Sequence, residues 1–413
     1  MFQRQICCVF AWLRLISAAC AEGPESLNVG PQLVRQLWST PVAASESESS
    51  SPVRPLVCGN VVIVNEASGI RALQLQTGRP EWPVDDADPG ALLSADGTPK
   101  PIQLDTGVCI DSHWIGLVAG DVVGTQLDQT RLVCLDLAAE GRLAWQRRAR
   151  QFWNTDRAEF AGKPVEVGNL LFATLRSSGS TEVRIAAVDV QGTLKWIAEW
   201  PDAATTRSDH SQIVLTASPD GSLLFACTST GRVSAWDVAS GRLLWAAPGA
   251  DEISSPSDGS LALLANESSL LILTGRLLAA ILTQTGKTQW KCELPSPAKS
   301  LLGVADNRVI VSGTYLTAVD LTTGLRLWEI RPVVSGAQGA GTGLLNGQTI
   351  VWPTREELWT VDATTGTVLN RQFLKALTGV RGGTLTTAGQ ILLISEPDRL
   401  TAFAIKFEHQ SQN

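Results

Sequence analysis

Residue types that carry most side-chain chemistry are scarce in this 413-residue chain: it has three His (His113, His210 and His409), one Met and one Tyr. Imidazoles so far apart offer no metal-ligand spacing. Asp209-His210-Ser211 is an adjacency and not a triad, because neighbouring residues on extended backbone point to opposite faces. Lys/Arg runs are also lacking. Against 40 Asp/Glu stand 33 Lys/Arg, a formal charge of −7, which excludes the electrostatic footprint of a nucleic-acid or anionic-lipid binder. The densest basic spot, Arg147, Arg148 and Arg150, reads as a solvated loop within 147–164. The acidic stretch DDADPG (85–90) departs from calcium-loop spacing, and no P-loop or dinucleotide fingerprint is present. No segment holds the roughly 18 consecutive apolar residues of a transmembrane span.

The N-terminus, MFQRQICCVFAWLRLISAACAEG, combines Arg4 in a short polar start, an apolar stretch from Ile6 to Ile16 and the small-x-small triplet Ala19-Cys20-Ala21. This pattern predicts a signal peptide over residues 1–21 and an extracytoplasmic, periplasmic location; Arg14 interrupts its apolar part and leaves a cytoplasmic start as the alternative. Cys20 stands where a lipoprotein carries its lipid anchor, although Ser17 occupies a position where a large aliphatic is expected. Removing the leader leaves Cys58, Cys109, Cys134, Cys227 and Cys292, an odd, scattered set in apolar sequence that reads as buried thiols.

Glycine and tryptophan are abundant, at 36 and 14, and they recur together. TAVDLTTGLRLW (317–328) aligns with RALQLQTGRPEW (71–82), CLDLAAEGRLAW (134–145), VDVQGTLKW (188–196), SAWDVASGRLLW (234–245), AAILTQTGKTQW (279–290) and TVDATTGTVLN (360–370). The glycines Gly78, Gly141, Gly192, Gly241, Gly286, Gly324 and Gly366 lie 38 to 63 residues apart. Strand-rich units at such a period predict a β-propeller. In each copy Gly supplies a left-handed turn conformation. Asp189, Asp237, Asp320 and Asp362 end strands where a carboxylate can accept backbone N–H bonds. Trp82, Trp145, Trp196, Trp245, Trp290 and Trp328 are placed on outer strands, covering seams between sheets, each worth about 2 to 3 kcal/mol of apolar burial.

Upstream of the hairpins lie further strand signals, among them VGNLLFATL (167–175), DNRVIVSGTY (306–315) and NGQTIVWPT (346–354), so each unit has four strands. A last unit, GQILLISEPDRLTAFAIKF (389–407), lacks a turn glycine and a Trp, whereas LVRQLWSTP (33–41) carries Trp38 with no preceding strand. Pairing 34–40 with 400–406 would make an all-β, eight-bladed propeller of four-stranded antiparallel blades with no open edge. Residues 22–413 then form one domain, with ASESESSSP (44–52) as a flexible linker.

The pattern A-x-D-x-x-x-G-x-x-x-W, in AVDLTTGLRLW and AWDVASGRLLW, resembles the repeat of the pyrroloquinoline quinone (PQQ)-like propellers over residues 33–407; one stretch, 218–241, is also similar to a WD-type blade. The PQQ-like family holds quinoprotein alcohol dehydrogenases and a non-enzymatic, BamB-like outer-membrane assembly branch. The resemblance implies the fold and leaves activity open. The dehydrogenases use a vicinal disulfide, Ca²⁺ and a catalytic Asp beside PQQ; here the one Cys-Cys pair, Cys7-Cys8, lies in the leader. The starts of the innermost strands, among them GTGLL and RGGTL, lack the Arg/Lys forks that a tricarboxylate quinone wants. The expectation is therefore a non-catalytic scaffold of the bacterial cell envelope that binds other envelope proteins, with no PQQ, Ca²⁺ or nucleic acid and no catalytic, cofactor or metal residue assigned. Residues 83–105 and 147–164 are its expected partner-facing segments. A PQQ-dependent oxidoreductase, or another enzyme with a channel-mouth site, is the competing expectation.

Overall fold

The structure, a computed structural model, describes residues 31–42, 54–66, 69–82, 115–119, 121–126, 130–177, 180, 182–200, 213–228, 231–247, 261–334, 337–374 and 379–407. The leader, Cys20, Cys109, the 44–52 linker, the 83–105 insertion and the three His lie outside these residues.

Strands dominate. Strand β1 (Pro31–Pro41) stands at the start, followed by β2 (Leu56–Cys58), β3 (Val61–Glu66) and β4 (Gly69–Gln74), then by β5 (Ile115–Val118), β6 (Asp121–Gln126), β7 (Arg131–Asp136) and β8 (Arg142–Arg148). A one-turn helix, Ala149–Phe152, precedes β9 (Ala158–Val167), β10 (Leu170–Ser177), β11 (Val183–Asp189) and β12 (Leu194–Glu199). Next come β13 (Ile213–Ala217), β14 (Leu223–Thr228), β15 (Val233–Asp237), β16 (Leu243–Ala247), then β17 (Leu261–Ala265), β18 (Ser269–Thr274), β19 (Leu277–Leu282) and β20 (Thr288–Glu293). The chain continues as β21 (Ala298–Ala305), β22 (Arg308–Gly313), β23 (Leu316–Asp320), β24 (Arg326–Ile330), β25 (Leu344–Asn346), β26 (Thr349–Pro353), β27 (Glu357–Asp362) and β28 (Val368–Phe373). It ends with β29 (Thr384–Ala388), β30 (Ile391–Ser395) and β31 (Arg399–Phe407).

Consecutive strands pair antiparallel, four to a sheet. Two departures stand out. The β9–β12 and β13–β16 sheets are joined by a single parallel bridge between Lys163 and Val214. The β2–β4 sheet has three strands, and its fourth is reduced to a bridge between Leu73 and Pro80. Strand β1 pairs antiparallel with β31, Trp38 opposite Ala402 and Thr40 opposite Leu400, so one sheet holds both ends of the described chain. First strands of neighbouring sheets touch, β5 against β9, β9 against β13, and onward to β25, and so form an inner wall.

Burial follows from these faces. Central strands such as β18 (SLLILT) are buried throughout, and each apolar cluster draws on two sheets that are consecutive in the chain. The cluster containing Trp38, Val62, Leu73, Leu393 and Ala402 joins the two-ended sheet to β2–β4.

The seams depend on the repeat. Every turn glycine has φ between +66° and +79°, a region costly for residues with a Cβ. Each also lies under the indole of the preceding unit: Gly78 under Trp38, Gly141 under Trp82, Gly192 under Trp145, Gly241 under Trp196, Gly286 under Trp245, Gly324 under Trp290 and Gly366 under Trp328. A Cβ at any of them would stand 2.5–2.8 Å from the ring. Six of these indoles also donate Nε1–H to a carbonyl of the next unit at 2.8–3.1 Å, as Trp290 does to Leu321. Sequence reading assigns the Gly to the turn alone; the structure adds a flat platform for a neighbour's ring.

A pair of substitutions separates the two roles. Gly347 has φ +56° with open space around it, so Gly347→Ala is expected to cost about 1–2 kcal/mol. Gly324→Ala adds the collision with Trp290 and is expected to cost about 2–4 kcal/mol in urea unfolding. Equal costs would show that the indole contact contributes nothing.

Candidate functional site

The carboxylates of the repeat are spent on their own turns. Asp189 Oδ1 accepts from Gln191 and Thr193 N–H, Asp237 from Ser240 N–H, Asp320 from Thr322 and Thr323 N–H, and Asp362 from Thr364 and Thr365 N–H, at 2.7–3.0 Å. Asp136, missed in sequence reading, does the same with Ala139 N–H at 3.0 Å. The Thr323 N–H and hydroxyl hold the Asp320 carboxyl below its ordinary value, and the Ser240 hydroxyl and N–H do so for Asp237. Beyond the Gly a register shift between Ala318 and Val319 sets Trp328 opposite Ala318, aiming the ring at the next sheet. The repeat's Gly, Asp and Trp residues are therefore distributed around the seams and nowhere converge on one place.

Among the described residues no group of three His, Cys, Asp or Glu is placed to hold a metal. The described cysteines, Cys58, Cys134, Cys227 and Cys292, are free and sit on four different sheets. Burial pushes the Cys134 thiol up to about 12, with the Asp121 and Asp136 charges adding to it, and burial also raises Cys227 strongly. Neither is a reactive thiolate. These residues do not fit a calcium–quinone centre with a vicinal disulfide.

The segment 147–164 is not the open basic loop that its charges suggest. Arg147 and Arg148 finish β8, the helical turn follows, and β9 starts at Ala158. Arg147 lies over Trp145 and donates to the carbonyls of Gly192 and Gln191 in the next sheet. Trp153, covered by the Arg184 guanidinium at 4.5 Å, and Phe160 are buried. An arginine with an aromatic and a carbonyl within reach becomes seam material. Alternation of apolar residues in AEFAGKPVEV was the signal for β9.

Exposed large apolar residues give a different picture of the surface. Val34 on β1, Leu327 on β24 and Phe373 on β28 are exposed, together with Leu325, Val333 and Val334 at the ends of β24. These six belong to three sheets that follow one another, and Leu244 on β16 is separate. Val34 and Phe373 flank a hydrogen bond from Leu33 N–H to Gln372 Oε1 (2.8 Å), which brings β1 beside β28. All three strands are the outermost of their sheets, each with an edge free of a partner strand among the described residues. Such an edge, with apolar side chains beside it, can take up a protein segment by strand addition or by side-chain burial.

The turn carboxylates give a pH signature. Asp320→Ala is expected to lower the urea midpoint at pH 7. A depressed folded-state pKa stabilises above the ordinary value of 3.8 and is lost as pH falls through the lower folded value, so the difference from wild type should vanish on acidification. A difference that persists at pH 2 would assign the effect to packing.

No curated protein matches the sequence. Among solved structures the chain is similar to BamB from Moraxella catarrhalis, at 16% identity and TM-score 0.58, over 93% of this chain and 100% of that one. It is similar as well to the quinohemoprotein alcohol dehydrogenase from Comamonas testosteroni (12% identity, TM-score 0.58, 90% of this chain and 76% of that one). The β-propeller domain of Cps50 (Swd1) from Myceliophteria thermophila matches at 12% identity and TM-score 0.50, over 91% and 100% of the two chains. At these identities the likeness shows a shared β-propeller fold. Among the described residues no helix is long and apolar enough to cross a membrane. The family model described as outer membrane protein assembly factor BamB matches residues 86–272 and 231–407, and the chain belongs to that family of PQQ-like repeat propellers.

Proposed function

We propose that the protein is a non-catalytic scaffold of the bacterial cell envelope, an eight-bladed closed propeller that binds other envelope proteins through its outer strands. The observation that carries this reading is the concentration of exposed apolar side chains at the outermost strands of three consecutive sheets, Val34, Leu327 and Phe373 on them and Leu325, Val333 and Val334 flanking β24. Closure is supported by the pairing of β1 with β31 and by the apolar cluster that ties that sheet to β2–β4. A closed ring has no first or last blade, so binding at its rim leaves the fold intact. Export by residues 1–21 would place it where a BamB-family scaffold meets its partners, and Cys20 would serve as a lipid anchor if the leader is cut before it.

Quinone-dependent oxidation is the alternative that fold likeness to an alcohol dehydrogenase raises. Fold likeness does not carry chemistry. The described cysteines and carboxylates do not fit such a centre, so no catalytic step is assigned.

Three results would test these readings. A photo-crosslinking residue in place of Phe373 or Leu325 is expected to trap discrete envelope proteins in cells, while one at the exposed Glu199 on β12 traps none; equal labelling at all three would contradict rim binding. Purified mature protein incubated with PQQ and Ca²⁺ is expected to show no dye-linked alcohol oxidation, and robust turnover would replace the scaffold by an enzyme. Deleting residues 31–41 is expected to leave the β31 edge open and cause aggregation or loss of cooperative unfolding; unchanged unfolding would contradict closure.

A further inference from the structure

Outer strands are the edges of these sheets, and polar residues guard some of them. On β20, Thr288, Gln289, Lys291 and Glu293 are exposed around buried Trp290 and Cys292, and on β12 the exposed residues are Lys195 and Glu199. Charged and polar side chains on an edge discourage pairing with another chain. Strand β16 has the exposed Leu244 and no charged residue, and basic β8 has no exposed large apolar residue.

Strand β24 combines both features. Trp328 covers Gly366 of the next sheet, while Leu325 and Leu327 in the same run are 67% and 47% exposed. Pro332 ends the run, since it has no N–H for a ladder, and Val333 and Val334 beyond it are exposed. The charges are mostly of one sign. Glu329 lies 3.6 Å from Arg326 and is gripped through both oxygens by Arg331, so one carboxylate serves two guanidinium side chains that are 46% and 60% exposed. The two neighbouring outer strands add Arg371, over Trp359 at 4.1 Å, and Arg35; both are exposed, and no described carboxylate forms an ion pair with either. Strands β1 and β28 and residues 325–334 thus hold four Arg and one Glu, in a chain whose net charge is −7.

We propose that β24 captures an extended segment of a partner protein in which acidic and apolar residues alternate, the segment adding as a fifth strand to the β21–β24 sheet. The inference rests on the scaffold reading above and names the partner chemistry of the same rim. The outer edge of β24 has no partner strand among the described residues, so its backbone can supply the pairing. Apolar side chains of the segment would bury Leu325 and Leu327, and its carboxylates would complete the guanidiniums that share Glu329. A basic segment would meet like charge.

The test uses the full mature chain and two fluorescent peptides of about ten residues, one alternating valine with glutamate and one alternating valine with lysine, compared by anisotropy. The glutamate peptide is expected to bind at least about tenfold more tightly, and to weaken in about 0.5 M salt. Successive N–H groups of a strand point to opposite edges, so N-methylating only the valines or only the glutamates blocks one edge at a time; one of these forms should lose binding and the other keep it. Arg331→Gln should weaken the glutamate peptide severalfold, Glu329→Gln should strengthen it, and Arg142→Gln on β8 should leave it unchanged. Equal binding of the two peptides, the same response to both N-methylated forms, or unchanged affinity in Arg331→Gln would overturn the proposal. Sedimentation with phosphatidylglycerol vesicles in place of peptide binding would assign the rim to a lipid surface and overturn it as well. The peptide comparisons use the wild-type chain and stand even where a variant does not fold. Cellular crosslinks at Leu325 without preference for the glutamate peptide would sink this inference and leave rim binding standing, whereas absence of crosslinks would remove the reading beneath it.

Discussion

One contact organises this protein: an indole from one sheet lying flat on the turn glycine of the next. The glycine serves the turn by accepting positive φ and serves the seam by having no side chain. The two requirements fall on the same atom, since a Cβ would both strain the backbone and enter the ring. With the Nε1–H bond to a carbonyl beside it, the contact fixes the distance and angle between neighbouring sheets. A sequence that repeats the Gly and Trp therefore repeats a geometry from one sheet to the next.

The exception supports this account. In the seventh hairpin the aromatic position is Asn370, and the sheet that follows has no turn glycine, because its third strand, β31, and its outer strand, β1, come from opposite ends of the chain. With no platform there is no indole. Trp38, on β1, does have a platform, Gly78 in the β2–β4 sheet. Trp82 is the converse case: the fourth strand beneath it has shrunk to a bridge, yet its ring still covers Gly141, so the seam persists where the strand does not.

Since the repeat is consumed in holding sheets together, function falls to what the repeat leaves over. Two regions qualify, and they differ in chemistry. The rim offers apolar side chains on outer strands, where strand edges meet solvent. The inner wall forms where first strands touch, and burial there pushes the Lys163 ammonium pKa down.

The hairpin motif was legible because its causes are local: a carboxylate bonded to amides two to four residues on, and a glycine in a backbone conformation that other residues avoid. Four strands to a unit were legible for the same reason, except in the β2–β4 sheet, where the outer strand is reduced to a bridge. Which indole met which glycine was not, because the partner lies one unit away and only packing shows the direction. Arg147 read as solvated charge, and tertiary structure put it on Trp145 because an aromatic face and a carbonyl were in reach. The sequence by itself determined the units and their turns, which are matters of short-range backbone chemistry. Tertiary structure alone decided which charges lie buried in the seams, which face the inner wall and which apolar residues stay exposed, because these depend on surfaces contributed by different sheets.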